Sequence, residues 1–412
     1  MALHSRRRIV LRFFLVTIPA AILLVRLYEA RRENSTQYLQ SMGRVQERVE
    51  FQGYKDFQTT NFNSKQPQRN ILVVSHGRSG STITGDIFNH HPSVFYLHEP
   101  LQTVERRYGR LNTTDERYAR LMADFLSNVF RCNFSKSVLE DMDHFYRNPR
   151  HPRASHAIGS PPLCPYEMTD PRWDPKLCPP MTSESLGSTC RNKYAVTVAK
   201  ILMSRIAENN IKNILSACDT SDVDCQIIFL IRDPRAVIPS ARSVGFFSDQ
   251  GSPLSLNSLR LFSYQTCKQT EENLVFLKNL PLKWRNRVMI QRYEDFAMDP
   301  LKVLSRLYNF AGLPMLDSVK TWLNQTTHPS QSREKMTKEG HPAFFTVDDA
   351  SVAMNRWRWK VQPHDISMIE HYCSHVMQMM GYTLVDRSYE LMSDISIPLF
   401  SEDYEAKEWF PH

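Results

Sequence analysis

Short apolar runs and amphipathic segments alternate along most of this chain. The segments Ile71–Val74, Gln226–Ile231 and Val288–Gln291 are mainly apolar and have the length of buried strands. Between such runs, apolar residues recur at helical spacing, as they do from Tyr118 to Phe130. Strands that alternate with helices predict an α/β fold with a doubly wound, mostly parallel sheet and helices on both faces.

The same pattern predicts further elements. Two more strands are expected at Ser93–Leu97 and at Tyr194–Ala199, the second ending at Lys200. Helices are expected at residues 201–217 and 236–243, from the cap Asp299 with Pro300 to Gly312, and at 366–380 with Asp365 as cap and Gly381 beyond. In parallel sheets, functional residues lie at the carboxyl ends of the strands. This rule predicts one edge that carries residues 75–82, residues 98–99, Lys200, Arg232 and Arg292.

The N-terminal part has a different pattern. Arg6–Arg8 precede the run Phe13–Val25, which is apolar except for Thr17. As a helix this run spans about 20 Å against a hydrocarbon core of about 30 Å, so a cleaved signal peptide competes with a signal anchor. We favour the uncleaved anchor because no small-x-small cleavage site follows. The expected organisation is a cytoplasmic tail at 1–8, a signal-anchor transmembrane helix at 9–28, a stem at 29–69, a globular domain at 70–385 and a C-terminal tail at 386–412.

Composition agrees with a lumenal body. Sequons for N-glycosylation stand at Asn34, Asn112, Asn133 and Asn324, and the eight cysteines form an even number suited to disulfides. Between residues 149 and 180 stand nine prolines with two cysteines among them, which predicts a disulfide-tied surface insertion and leaves the pairing open. The net charge of +8 is scattered, so it weakly favours an anionic ligand, and no nucleic-acid partner is expected.

One turn of the predicted sheet is suited to an anion. The strand at Ile71–Val74 leads into a small, glycine-rich turn and then into a helix, which points backbone N–H groups and a positive dipole end at one place. The turn lacks the G-x-x-x-x-G-K-[ST] pattern of nucleotide hydrolases, and an ordinary strand-to-helix turn is the alternative interpretation. The candidate anion-binding residues are His76, Gly77, Arg78, Ser79, Gly80, Ser81 and Thr82.

A second anion site is predicted at Arg232 and Ser240. Arg232 leaves the central strand at its carboxyl end, and Ser240 lies about two turns into the following helix. A surface ion pair would explain the arginine equally well. No cluster of His, Cys, Asp or Glu has the spacing of a metal site, and without a Cys-x-x-Cys pair neither a zinc ribbon nor a thioredoxin-type site is supported, so no metal is expected.

These motifs together resemble a known family. Arg78–Thr82 and Leu230–Arg235 with Ser240 resemble the two cofactor motifs of Golgi sulfotransferases. Tyr96–Leu101, Arg292–Asp295 and the neighbourhood of residues 353–358 are similar to the carbohydrate 6-O-sulfotransferases, which act on galactose, N-acetylglucosamine or N-acetylgalactosamine. The resemblance extends over residues 70–385. It departs from the family pattern at two places. Many relatives carry other residues at the position of His76-Gly77, and an aromatic residue is usual at the position of His98.

The resemblance implies a donor and a place for it. The donor is 3′-phosphoadenylyl sulfate, with its 5′-phosphosulfate at residues 76–82 and its 3′-phosphate at Arg232 and Ser240. The implied acceptor is a glycan or proteoglycan, and the implied location is the Golgi membrane, as a single-pass type II protein. Two alternatives stay open: a sulfotransferase for protein tyrosine or another carbohydrate position, and an inactive lumenal glycan-binding protein. A homo-oligomer is also left open.

Individual side chains have expected roles in this chemistry. Glu99 is the candidate base for the sugar hydroxyl, because it is expected to end the strand adjacent to the anion loop and because the resemblance implies a glutamate there. Its neighbour His98 is the rival. Lys200 is a candidate for stabilising the transferring group, or else it caps a surface edge. Arg292 is interpreted as an ion-pair member that supports the sheet. The cluster at residues 356–360 either lines an acceptor groove or packs as a lid.

Overall fold

The computed structural model describes residues 68–108, 114–220, 223–246, 256–327 and 349–410. The predicted tail, the anchor and almost all of the stem lie outside these ranges, as do Asn34 and Asn112. Within them, no helix is long and apolar enough to cross a bilayer. Asn133 and Asn324 are both exposed.

A sheet of six strands forms the centre of the described part of the chain. The strands are β1 (Arg69–Ser75), β2 (Val94–His98), β3 (Val196–Leu202), β4 (Asp219–Thr220), β5 (Val223–Ile231) and β6 (Val288–Arg292). They are ordered β2-β3-β1-β5, and both β6 and β4 pair with β5. Only the short β4 is antiparallel among these pairs. The predicted α/β fold with a mostly parallel sheet is therefore confirmed.

Helices pack on both faces of this sheet. They are α1 (Ser81–Asn89), α2 (Leu101–Tyr108), α3 (Glu116–Phe130), α4 (Lys136–Tyr146), α5 (His156–Gly159), α6 (Ser183–Lys193), α7 (Lys212–Cys218), α8 (Pro234–Ser243), α9 (Leu256–Lys278), α10 (Leu282–Arg285), α11 (Tyr293–Met298), α12 (Pro300–Ala311), α13 (Asp317–Thr327), α14 (Ala350–Asn355), α15 (Trp357–Lys360), α16 (Pro363–Met379) and α17 (Tyr389–Ser393). Short 3₁₀ turns stand at Pro175–Leu177, Met203–Arg205, Ala207–Asn209 and Glu405–Trp409.

The central strand β1 is buried on both faces, which explains its continuous apolar sequence. Leu72 and Val74 belong to one core cluster, and Ile71 and Val73 belong to the cluster on the opposite face. Because β1, β2, β3, β5 and β6 are parallel, their carboxyl ends lie at one edge of the sheet. The loops that follow these ends are therefore neighbours, as the sequence predicts.

Two predicted helices differ from the observed ones. The helix expected at 201–217 is wrong over its first half, because β3 continues to Leu202, in register with Ser75 of β1. Two 3₁₀ turns follow, and the positive φ of Glu208 and Asn209 (56° and 52°) interrupts any helix before α7. The helix expected to start after Asp365 begins at Pro363 with Gln362 at its N-cap position.

Other local predictions agree with the structure. The Asp299 side chain accepts a hydrogen bond from the backbone N–H of Lys302, Pro300 takes the first helical position, and Gly312 closes α12 with φ 65°. All eight cysteines form disulfides, in the pairs Cys132–Cys190, Cys164–Cys178, Cys218–Cys225 and Cys267–Cys373. The second pair lies inside the proline-rich insertion and joins its middle to a position near its C-terminal end.

The stretch expected as a C-terminal tail is packed against the domain in its described part. Phe400 pairs with Tyr382 in an isolated β-bridge, and the ring of Phe410 is buried. Arg358 donates hydrogen bonds to the carbonyls of Asp394 and Ile397 at 2.9 and 2.7 Å. Residues up to 410 therefore contribute to the same structure as the sheet.

Candidate active site

The predicted anion loop joins β1 to α1 in an unusual backbone conformation. Arg78 and Gly80 both have positive φ, at 72° and 86°. A side chain at Gly80 would overlap the ring of Tyr293, so glycine is needed there for both backbone and space. Ser79 and Ser81 are buried, and Thr82 is half-buried at the start of α1. The loop is thus held tightly between β1 and the Tyr293 ring.

The two predicted anion sites are in direct contact. Arg78 Nε donates a hydrogen bond to Ser240 Oγ at 3.0 Å, and Arg232 Nη1 donates to the Arg78 carbonyl at 3.1 Å. The Arg232 guanidinium also stacks on the Tyr293 ring, 4.2 Å from its centroid. Arg78, Arg232 and Ser240, which are far apart in sequence, therefore form one basic cluster around the loop.

Electrostatics in this cluster favour a bound anion. Burial lowers the pKa of the Arg78 guanidinium from its ordinary value, and the nearby charge of Arg232 lowers it further. Two guanidinium groups repel each other in a partly desolvated place, and an anion between them would relieve that repulsion. The donor set is therefore that of a phosphate or sulfate site rather than of a metal.

His76 does not add charge to the loop. Its ring lines a small cavity that is also lined by Ser79, Arg232 and Thr266, and Nε2 makes no hydrogen bond among the described residues. Burial lowers the pKa of His76 to about 4, so the ring is neutral. Beside it, a side chain at Gly77 would overlap the ring of Phe246. Both residues shape the loop through packing.

Glu99 and Lys200 form the second half of the site. The prediction that Glu99 ends the strand next to the loop is wrong, because β3 lies between β2 and β1. Adjacent strands are roughly 4.8 Å apart, so the ends of β2 and β1 are about 10 Å apart. Lys200, in β3, is paired with His98 of β2 on one side and Val73 of β1 on the other.

The carboxylate of Glu99 is surrounded by donors. Lys200 Nζ lies 2.5 Å from Oε1, and His98 Nε2 lies 3.5 Å from the same oxygen. On the other oxygen, Gln102 Nε2 donates at 2.7 Å and Arg205 Nη1 lies 3.1 Å away. Glu99 itself has a positive φ of 48°, a conformation that costs energy for a residue with a side chain. Such strain at a buried, fully contacted carboxylate is typical of a functional position.

Burial and charge act on this carboxylate in opposite directions. Burial alone raises the pKa of Glu99, but Lys200, His98 and Arg205 outweigh it and hold the pKa well below its ordinary value. Burial lowers the pKa of the Lys200 ammonium, and the adjacent Glu99 opposes that change. Glu99 is therefore a carboxylate and Lys200 an ammonium, and the two form a buried ion pair in which each stabilises the charge of the other.

Sequence reasoning missed two residues of this site. Gln102 stands three residues after Glu99 at the start of α2, and this spacing could have been used to find it. Arg205 lies in the 3₁₀ turn after β3 and reaches both Glu99 and Glu105, with Nε 3.2 Å from the Glu105 carboxylate. No local pattern in the sequence indicates Arg205, because the predicted helix over this stretch directs its side chain elsewhere.

Two other groups of predicted residues have structural partners. Arg292 is fully buried, with Nη2 2.6 Å from Asp295 and further hydrogen bonds to the carbonyls of Met380 and Ser401. In the cluster at 356–360, Trp357 is buried beneath the guanidinium of Arg235, 4.3 Å from the ring centroid. Among the residues that the structure describes, no group of three or more His, Cys, Asp or Glu could hold a metal ion.

Several known proteins are similar to this chain. The sulfotransferase domain family matches residues 68–381. Carbohydrate sulfotransferase 4 of Mus musculus is 26% identical over 360 residues, covering 81% of this chain and 87% of the relative. Carbohydrate sulfotransferase 3 of Homo sapiens is 25% identical over 369 residues, covering 82% and 71%. The solved sulfotransferase domain from the curacin biosynthetic pathway has a TM-score of 0.40 at 18% identity and covers 76% of this chain and 98% of that one.

The resemblance to carbohydrate sulfotransferases that the motifs predict is confirmed by these relatives. The family match begins just before β1 and ends at Gly381, so it includes the anion loop, Glu99, Lys200 and Arg232. Because it extends over more than half of the chain, this protein belongs to the sulfotransferase domain family and is an enzyme.

Proposed function

We propose that this enzyme transfers a sulfuryl group from 3′-phosphoadenylyl sulfate to the 6-hydroxyl of galactose, N-acetylglucosamine or N-acetylgalactosamine in a glycan or proteoglycan. The order of the strands is the observation that carries the proposal. Glu99 follows β2, Lys200 lies in β3, and the anion loop follows β1, so a carboxylate, a cation and an anion site stand in that order on neighbouring strands. A group transfer needs this order, because the moving group lies between the oxygen it joins and the anion it leaves.

The basic cluster fits a donor that carries two anionic groups. The loop at 76–82 would hold the 5′-phosphosulfate, and Arg232 with Ser240 would hold the 3′-phosphate. The contact of Arg78 with Ser240 joins the two sites, and the paired guanidinium groups supply the positive charge that such an anion needs. When bound, the donor supplies a sulfate activated by its bond to phosphate.

Glu99 is the proposed general base. It takes the proton of the sugar hydroxyl while the bond from that oxygen to sulfur forms and the bond from sulfur to the phosphate oxygen breaks. Lys200 shares Oε1 of this carboxylate at 2.5 Å, so the carboxylate accepts a proton only after Lys200 turns away. An anion in the neighbouring loop is the group that draws the ammonium toward β1, where it stabilises the leaving charge.

The test is a transfer assay with the purified full chain. Labelled donor is incubated with a panel of defined glycans and with a tyrosine peptide, and the sulfated carbon is mapped. We expect label on a 6-hydroxyl of one of the three sugars. Label on tyrosine or on another carbon would contradict the proposed acceptor, and nucleotide binding without any transfer would favour the inactive glycan-binding alternative.

Two variants assign the site. Glu99→Gln should abolish transfer but still bind immobilised adenosine 3′,5′-bisphosphate, with Glu208→Gln, an exposed acid beyond β3, as the matched control. Arg232→Ala should lose that binding, whereas Arg287→Ala, just before β6 at the opposite edge of the sheet, should keep it. Normal turnover in Glu99→Gln would remove Glu99 as the base, and normal retention of Arg232→Ala would remove the 3′-phosphate site.

We also propose the cellular arrangement that the sequence indicates, with residues 9–28 as a signal anchor, residues 29–69 as stem and the domain in the Golgi lumen. The four disulfides support an oxidising compartment. In isolated Golgi vesicles, a tag at the C-terminus should resist added protease until detergent is present. Cleavage of the tag without detergent would contradict this orientation.

A further inference from the structure

We infer that His98 is a positioning residue for Glu99. The hydroxyl of Tyr96, which packs against Gly85 of α1, holds the His98 ring in a single tautomer. The inference rests on the proposed function, since it assigns to His98 the task of fixing the proposed base. It concerns three residues that the proposed reaction does not itself use.

The strand β2 brings two of these residues to the same face. Side chains alternate along a strand, so Tyr96 and His98 both point toward α1, whereas Leu97 belongs to the core cluster on the opposite face. Lys200 is paired with His98 in the neighbouring strand. The His98 ring therefore lies between the Tyr96 hydroxyl and the ion pair of Glu99 with Lys200.

The place of the Tyr96 hydroxyl is fixed by packing. Tyr96 is fully buried, and a Cβ added at Gly85 would overlap its hydroxyl oxygen. Only glycine at this position of α1 leaves room for the hydroxyl. Tyr96 Oη lies 3.4 Å from His98 Nδ1, at the long end of hydrogen-bond distance. Hydrogen bonds of catalytic groups are often long before substrate binds and shorten afterwards.

The placement of the protons follows from what each group can do. An ionised carboxylate only accepts, so the contact of 3.5 Å between His98 Nε2 and Glu99 Oε1 is favourable only with the proton on Nε2. In a neutral imidazole the other nitrogen must then accept, so the Tyr96 hydroxyl donates to Nδ1. The Tyr96 hydroxyl thus selects the tautomer whose N–H points at Glu99.

The surroundings keep this imidazole neutral. The charged and titratable groups that act on His98 are Glu99, Lys200, His151 and Arg205, and burial together with Lys200 lowers the pKa of His98 to about 3. With the proton on Nε2, the side of the ring that faces Glu99 has no acceptor nitrogen, which disfavours the rival role of His98 as base for the sugar hydroxyl. The neutral ring remains a hydrogen-bond donor over the whole range in which the protein would work.

The test compares transfer kinetics of the wild-type chain with those of His98→Phe, His98→Gln, Tyr96→Phe and the double variant Tyr96→Phe/His98→Phe. His98→Phe should lower kcat by about 10- to 100-fold, as expected for loss of a group that orients a catalytic side chain. The KM for donor and the retention on immobilised adenosine 3′,5′-bisphosphate should stay within about twofold. His98→Gln, whose amide N–H replaces Nε2–H, should recover part of kcat.

The remaining measurements separate positioning from a structural role. Tyr96→Phe should lower kcat less than His98→Phe does, and the double variant should be no slower than His98→Phe alone, since the hydroxyl acts only through the ring. Loss of the N–H raises the pKa of Glu99, so the acid limb of the kcat profile should move to higher pH.

Three outcomes would overturn the inference: wild-type kcat in His98→Phe, additive losses in the double variant, or a loss confined to KM and nucleotide binding. If His98→Phe does not fold, Tyr96→Phe with wild-type kcat and pH profile overturns it. A wild-type chain that transfers no sulfate refutes the proposed function, and the inference with it. A wild-type chain that is active beside an equally active His98→Phe refutes the inference alone.

Discussion

Replacing Lys200 by methionine removes the ammonium that lies 2.5 Å from Glu99 Oε1 and keeps an unbranched side chain of similar length. Both side chains are buried, with 2% and 10% of their surface exposed. Removing one member of a buried ion pair costs ~3–5 kcal/mol in unfolding free energy. Because Arg205 and Gln102 still contact the carboxylate, we expect the lower end of that range, about 3 kcal/mol.

A second substitution tests whether the loss comes from the unpaired carboxylate. Glu99→Gln in the Lys200→Met background removes the stranded charge, so the double variant should be more stable than the sum of the single variants predicts, by about 2 kcal/mol. The pKa of Glu99 is lowered in the folded protein, so the stability it contributes is present above its unfolded pKa of about 4.3 and is lost as pH falls. The difference between wild type and Glu99→Gln should therefore shrink below about pH 4.

The assay is urea unfolding followed by fluorescence at pH 7 with disulfides intact, combined with the transfer assay. Lys212→Met, at an exposed position of α7, is the matched control and should change neither quantity. In Lys200→Met, sulfate transfer should fall by roughly 100-fold or more, while adenosine 3′,5′-bisphosphate is still retained. Unfolding free energy within about 0.5 kcal/mol of wild type together with full transfer would refute both the ion pair and its proposed use.

Two further predictions follow from the same edge of the sheet. Ser240→Ala removes the acceptor of the Arg78 hydrogen bond and should weaken nucleotide binding by roughly tenfold in a titration. Ser243→Ala in the same helix is the control, and unchanged affinity in Ser240→Ala would contradict the contact between the two anion sites. Burial raises the pKa of Asp86 to about 7 against the opposing charges of Arg153 and Lys200, so its stabilising contribution is complete below the unfolded pKa and is lost as pH rises through 7. Asp86→Asn should therefore gain stability relative to wild type between pH 5 and pH 8, by at most about 1.4 kcal/mol per pH unit in urea unfolding, and a constant difference over that range would contradict the raised pKa.

The placement of the candidate site residues at one edge of the sheet could be predicted because it depends only on strand direction. Once the apolar runs are read as parallel strands, the residues after them must be neighbours, whichever strands pair. The order of the strands could not be predicted in the same way. That β3 separates Glu99 from the anion loop is decided by long-range pairing of residues more than 100 positions apart in sequence, Val73 with Lys200.

Local ambiguity explains the remaining errors. Ile201 and Leu202 are apolar and suit a helix or a strand equally, and their burial beside β1 decides for the strand. The same error hid Arg205, since its contact with Glu99 depends on the 3₁₀ turn that replaces the predicted helix. The packing of Tyr96 against Gly85 joins a strand to a helix, and no pattern in the sequence of either segment alone predicts it.

The position of Lys200 between β2 and β1 gives the proposed reaction its sequence of events. While the ammonium holds Glu99, the pKa of that carboxyl is well below its ordinary value, and the group is a weak base. If an anion in the loop attracts Lys200, the largest charge that lowers this pKa is withdrawn, and burial, which acts in the opposite direction, raises it. The basicity of Glu99 is therefore coupled to the presence of the donor anion. Under this proposal a sugar hydroxyl loses its proton only when the sulfate that will bond to its oxygen is in place. The Lys200 ammonium, which moves away from Glu99, then stabilises the negative charge on the departing phosphate.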